Sequence, residues 1–164
     1  MRRCLVLLLL LTVSISNAKD IEREPLPEVF YQRIINTLIP EVLELTRLPT
    51  PLEPPVIYLA PREYIQSLYC REDTKNCGVA AVTDDKTGEI TLSQELLSYN
   101  IITISVIFHE LVHWAQVKNH LFEDEADCAH WAKSEMHAYT AQSRFLIVHT
   151  GRGFAVPNLL EQCR

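Results

Sequence analysis

The chain has 164 residues, 48% of them hydrophobic, and carries 15 Lys and Arg against 21 Asp and Glu for a net charge of −6. This length and apolar content fit a single globular domain with its own core. The acidic balance, with no basic tract, argues against nucleic acid or an anionic membrane as a partner.

Arg2 and Arg3 precede an apolar run over residues 5 to about 15, and Ser16, Asn17 and Ala18 offer small residues for cleavage. This is the pattern of a secretory signal peptide, too short to span a bilayer comfortably. The expected organisation is a signal peptide over residues 1–18 and one domain over residues 19–164. The product is secreted or periplasmic, with cleavage near Ala18 and no stable membrane anchor. Removing residues 1–18 takes away Arg2 and Arg3 and no acids, so the net charge moves from −6 to −8.

Four cysteines remain: Cys70, Cys77, Cys128 and Cys163. An even number in an exported protein suggests two disulfides. Cys70 and Cys77 enclose a short polar loop and form the natural local pair, which leaves Cys128 for Cys163. Use of one thiolate as a metal ligand is the rival reading, and an oxidising compartment disfavours it.

In chain order, residues 19–27 read as a charged, proline-punctuated lead-in with little order. Val29, Ile34, Ile35, Leu38, Val42 and Leu45 recur at helical spacing over residues 28–48, where Pro40 should kink or divide the helix. A proline-rich connector leads to a strand over residues 56–60, and Pro61 starts a short helix ending near Cys70. Residues 78–82 and 89–93 are β-prone and flank a turn-rich segment, a hairpin signal. A short helical turn follows. Asn100 is then a plausible N-cap for a helix from Ile101 to about Asn119. Acidic residues Glu123, Asp124, Glu125 and Asp127 suit the first turn of a last helix, which runs to about Thr150 and closes at Gly151.

The helix from Ile101 contains His109-Glu110-Leu111-Val112-His113, an HExxH pattern. Residues four apart sit about 40° apart around a helix and about 6 Å along it, so two imidazoles can meet one ion. Apolar neighbours such as Ile107, Phe108, Leu111 and Trp114 mark the helix as largely buried. Buried polar groups need partners, and a metal ion with its water supplies them to both histidines and Glu110 together.

With uncharged residues before and within it, this stretch resembles the metal helix of the zincin metallopeptidases. The resemblance covers roughly residues 55–145, and only the HExxH part is specific. It implies a minimal zincin-like α+β domain, in which a small antiparallel or mixed sheet packs on the HExxH helix and a long C-terminal helix. It also implies that an extended substrate pairs with the upstream strand, residues 89–93. The metzincin extension HExxHxxGxxH fits poorly, because Gln116 takes the glycine place, Asn119 the histidine place, and His120 comes one residue late. A deformylase-like Cys77 ligand lacks that family's surrounding motif. Gluzincins take a glutamate from a downstream helix, and Glu135 is well placed for it; Glu123, Asp124, Glu125 and Asp127 are rivals that sit where helix-start acids usually sit. Ala138 and Gln142 share the Glu135 face, which lets the two helices pack closely.

The expected metal ligands are therefore His109, His113 and Glu135, holding one Zn2+. The function implied is a zinc-dependent hydrolase acting on peptide or protein amide bonds through metal-activated water, with Glu110 as general base. Tyr139, one turn beyond Glu135, is the candidate to stabilise the oxyanion. By helical arithmetic His130 and His137 project away from the Glu135 face, and His149 lies too far along the axis. Gln116 is a candidate to support the metal helix from behind, and His120 to complement its dipole. The alternative is a catalytically weak zincin-fold module that binds metal and a partner.

Overall fold

A proline sets the shape of the first helical region. The computed structural model describes residues 23–70, 78–98, 100–123 and 127–163. Strand β1 (Glu24–Pro25) is followed by helix α1 (Glu28–Arg33), a π-helical turn (Ile34–Leu38) and helix α2 (Ile39–Thr46). Pro40 has no N–H to give back along the helix, and its ring crowds the preceding turn. Widening that turn to a π-helix divides α1 from α2 at the expected place.

Part of the lead-in is ordered, contrary to expectation. β1 pairs antiparallel with strand β2 (Ile57–Ala60), Leu26 is buried in the core, and the Arg23 guanidinium lies over the Tyr58 ring at 4.4 Å. One buried leucine and a stacked cation anchor a segment whose composition suggested none. Pro25 is tolerated there because β1 is an edge strand.

Helix α3 (Arg62–Tyr69) starts after Pro61, and strands β3 (Ala81–Thr83) and β4 (Ile90–Ser93) form the hairpin. Asp84 shapes its turn by accepting from the Lys86 and Thr87 N–H groups. Gly88 takes a left-handed φ of 73° that a side chain would resist. The sheet order is β1-β2-β4-β3, with β2 and β4 parallel and the outer pairs antiparallel. The molecule is thus an α+β fold with a small mixed sheet. β4 is buried along its whole length, whereas β3 is an edge strand.

Helix α4 (Ile101–Lys118) begins on a capping box: Asn100 accepts from the Ile102 and Thr103 N–H groups, and the Thr103 side chain answers the Asn100 N–H. Asn100→Ala is expected to cost about 1 kcal/mol of stability in denaturant unfolding. The helix ends without the glycine usual at such turns. His120 takes a φ of 55°, and the N–H groups of His120 and Leu121 bond the carbonyls of Val117 and Gln116, a Schellman closure. His120 also pairs with Glu123 in solvent, so its role is at the turn and not in the site.

Helix α5 (Asp127–Thr150) packs along α4. Asp127 occupies its first turn; Asp124 and Glu125 lie outside the described residues. Contacts run in opposite order on the two helices, from Ser105 with Gln142 to Gln116 with Ser134, so they are antiparallel. Their shared core joins Phe108, Leu111, Val112 and Trp114 to Phe145 and the sheet residues Ile90 and Leu92. After Gly151, with its left-handed φ of 73°, the tail doubles back. The Ser143 hydroxyl bonds both the N–H and the carbonyl of Phe154, and a Cys128–Cys163 disulfide closes the return. The Cys70–Cys77 pairing rests on Cys77, outside the described residues. Among the described residues no helix is long and apolar enough to cross a membrane.

Candidate metal centre

His109 and His113 project from consecutive turns of α4 toward Glu135 of α5. Their Nε2 atoms are 3.0 Å apart. Glu135 Oε2 lies 3.3 Å from His109 Nε2, and Oε1 lies 3.5 Å from His113 Nε2. Among the described residues these three offer ligand atoms that all fall within 4.8 Å of one another, a group able to hold a metal ion. Donors about 2.0–2.1 Å from a tetrahedral ion are separated by about 3.3–3.4 Å. The observed spacings bracket that value.

The hydrogen bonds behind the imidazoles determine which nitrogens face the centre. The Ser105 hydroxyl donates to the Ile102 carbonyl, so its oxygen accepts from Gln142 Nε2. That orients the Gln142 amide, whose Oε1 accepts from His109 Nδ1 at 3.1 Å. On the other side Gln116 Nε2 donates to the Ser134 carbonyl, so Gln116 Oε1 accepts from His113 Nδ1 at 2.8 Å. Ser134 Oγ lies 3.2 Å from the same nitrogen and donates to Gln116 Oε1. Both rings therefore carry hydrogen on Nδ1 and turn bare Nε2 lone pairs toward each other. Two lone pairs at 3.0 Å repel unless a proton or a cation lies between them. This is the arrangement metal-bound histidines need.

Charge follows the same logic. Burial pushes the His113 imidazole toward its neutral form, yet the Glu135 bond and the charges of Glu110 and Glu135 raise its pKa overall. Burial works to raise the Glu135 carboxyl, but the two histidines outweigh it and hold the group well below the usual carboxylate range. His137 is shifted down, by burial first and then by His113 and Arg144.

Glu110 is buried and lines the same cleft as these three residues. Thr83 Oγ1, on β3, lies 2.8 Å from Glu110 Oε2 and 3.1 Å from the Glu110 carbonyl, so the outer strand is tied to this carboxylate. The Tyr139 ring packs on His109 with centroids 4.6 Å apart. Burial and the charges of Glu135 and Glu110 raise its pKa, which keeps the phenol protonated and able to donate. A cleft of about 1160 Å³ runs over these groups, bounded by β3, α4 and α5, and Tyr69 also lines it.

All five site residues expected from the sequence meet at this cleft: His109, Glu110, His113, Glu135 and Tyr139. His130 donates to the Phe122 carbonyl and His149 pairs with Glu41, both as structural partners. His137 is not among the residues that line the cleft, as expected, and its Nδ1 lies 3.0 Å from Gln116 Nε2, where it joins the network behind His113. One correction concerns the strand beside the cleft. β4, residues 90–93, is bonded to β2 on one side and β3 on the other and has no edge to offer. The edge strand beside the cleft is β3, whose residues line it. Sequence reasoning missed Thr83, Tyr69 and Ser134, for which no local pattern signals a role.

No protein-family model matches the chain, and no match is found among curated proteins or solved structures. The site's chemistry accordingly carries the functional reading. Gln142→Leu is expected to leave His109 Nδ1 without its acceptor and to weaken metal binding about 10–100-fold in chelator competition.

Proposed function

We propose that this protein is an exported, zincin-like and specifically gluzincin-like hydrolase, which uses zinc to cleave amide bonds in peptides or proteins. The observation that carries the reading is the convergence of two bare Nε2 atoms and both Glu135 oxygens, with the rear nitrogens pinned by Gln142 and Gln116. Two imidazoles and one carboxylate suit zinc and leave a position open. When bound, zinc supplies Lewis acidity and lowers the pKa of water.

The chain's own groups divide the remaining work. His109, His113 and Glu135 hold the ion. Thr83 engages Glu110 Oε2, leaving Oε1 to take the proton from water and return it to the departing amine. The Tyr139 phenol is the donor for the oxygen that gains charge. An extended peptide fits the open edge of β3 by backbone pairing, and this replaces β4 in that role. Stoichiometric zinc in the purified protein, read by elemental analysis, supports the proposal; protein that neither retains nor takes up zinc would sink it.

A further inference from the structure

The returning tail builds a second cavity against the metal centre. It has a volume of about 520 Å³ and is walled by Trp131, Glu135 and Tyr139 of α5 and by Phe154, Pro157 and Leu159 of the tail. Trp131, Glu135 and Tyr139 also line the main cleft, so the two spaces share a wall that carries a metal ligand. The volume lies in the range of ligand sites, about 300–1,000 Å³.

Its lining is mostly apolar, and the polar side-chain groups among the lining residues are the Glu135 carboxylate, the Tyr139 phenol, the Gln162 amide and the Trp131 indole N–H. Trp131 and Phe154 are large aromatics left 44% and 38% exposed. Exposed aromatic surface gathered at a concave site marks a place where a partner group is received. Tyr139 and Phe154 stand edge to face, centroids 6.1 Å apart at 81°, and so offer both a ring face and a ring edge to an incoming ring. A carboxylate in the wall and a net charge of −6 disfavour an acidic occupant.

We propose that this cavity is a subsite for an aromatic side chain of the peptide held at the centre, and that the Cys128–Cys163 bridge builds it by fixing the tail over α5. The assignment of the peptide rests on the hydrolase reading above; the cavity's preference for a ring does not. Two further features show that the tail is seated by design of the chain. Phe154 is held through both backbone polar groups by Ser143. A β-carbon at Gly153 would come within 2.5 Å of Ser143 Oγ and 2.9 Å of the Ser143 carbonyl, so only glycine permits this approach.

The test uses the intact, metal-free protein and follows the Trp131 indole N–H by nuclear magnetic resonance. N-acetylphenylalaninamide is expected to shift this signal with an apparent affinity about tenfold or more above that of N-acetylalaninamide. Gln162 is exposed at the cavity, so Gln162→Trp should fill the space without touching the core and abolish the preference. The paired change Cys128→Ser with Cys163→Ser should reduce it by releasing the wall. An equal response to both amides, or a preference that survives Gln162→Trp, overturns the proposal. Because no metal is present, that failure is separate from failure of the zinc reading, which zinc content decides. In zinc-loaded protein the same ring preference should appear between 3-phenylpropionohydroxamate and acetohydroxamate, and its absence there would overturn the link between cavity and centre.

Discussion

Glu110→Gln is expected to retain zinc at full stoichiometry and to lose turnover by about two to four orders of magnitude. The substitution keeps the shape and one acceptor oxygen for the Thr83 hydroxyl, so the β3 tie and the buried packing of α4 survive. What disappears is the carboxylate's basicity, because an amide cannot take a proton from water near neutral pH. Glu110 is not among the converging ligands, so the ion has no reason to leave. The measurement pairs zinc content with cleavage of a casein or peptide-library substrate. A variant that keeps its activity would remove Glu110 from the mechanism. Wild-type protein that holds zinc but cleaves nothing would favour the metal-binding module.

Glu135→Gln should have the second large effect, a loss of zinc affinity well beyond the roughly 10–100-fold expected of an outer hydrogen-bond partner. The change removes the only anionic ligand of the group while preserving its volume. It should also alter the metal-free protein in a defined pH window. The Glu135 carboxyl is lowered on folding, so its contribution is present above its unfolded value of 4.5 and is lost as pH falls through the folded value. The His113 imidazole is raised, so its contribution is present below its unfolded value of 6.5 and is lost as pH rises through the folded one. Both terms are in force between 4.5 and 6.5. There, thermal melts of metal-free wild type should exceed those of Glu135→Gln by the widest margin. Zinc reverses the trend on the acid side, because protons compete for His113. Apparent affinity should fall about tenfold per pH unit for each proton displaced.

How much of this was legible beforehand depended on whether the determinant was local. Asn100, the HExxH spacing and the helix-start acids are local signals, and α4 and α5 stand within a few residues of their expected bounds. Glu135 could be ranked because helix spacing relates it to Ala138 and Gln142, both of which face α4. The Cys128–Cys163 bridge followed from counting the cysteines and setting aside the local pair, and it is present. Strand order is different in kind. Nothing within residues 78–93 says that β2 will pair with β4 and leave β3 outside, since that depends on a crossover through α3. The turn after α4 was obscured because its left-handed residue is His120 rather than glycine. The network behind His113 joins Gln116 to Ser134 and His137 across two helices, and no single-helix periodicity reports it.

The bridge has a consequence for how the molecule opens. Cys128 and Cys163 are 35 residues apart, so α5 and its returning tail form one covalent ring, laced midway by Ser143 and Phe154. Fraying at Thr150 cannot spread into free ends, because the ring has none. Local unfolding then takes the ring as a unit, and the Phe154 amide should exchange hydrogen about as slowly as the middle of α5. Glu135 sits inside that unit. Its carboxylate is carried on a segment tethered at both ends.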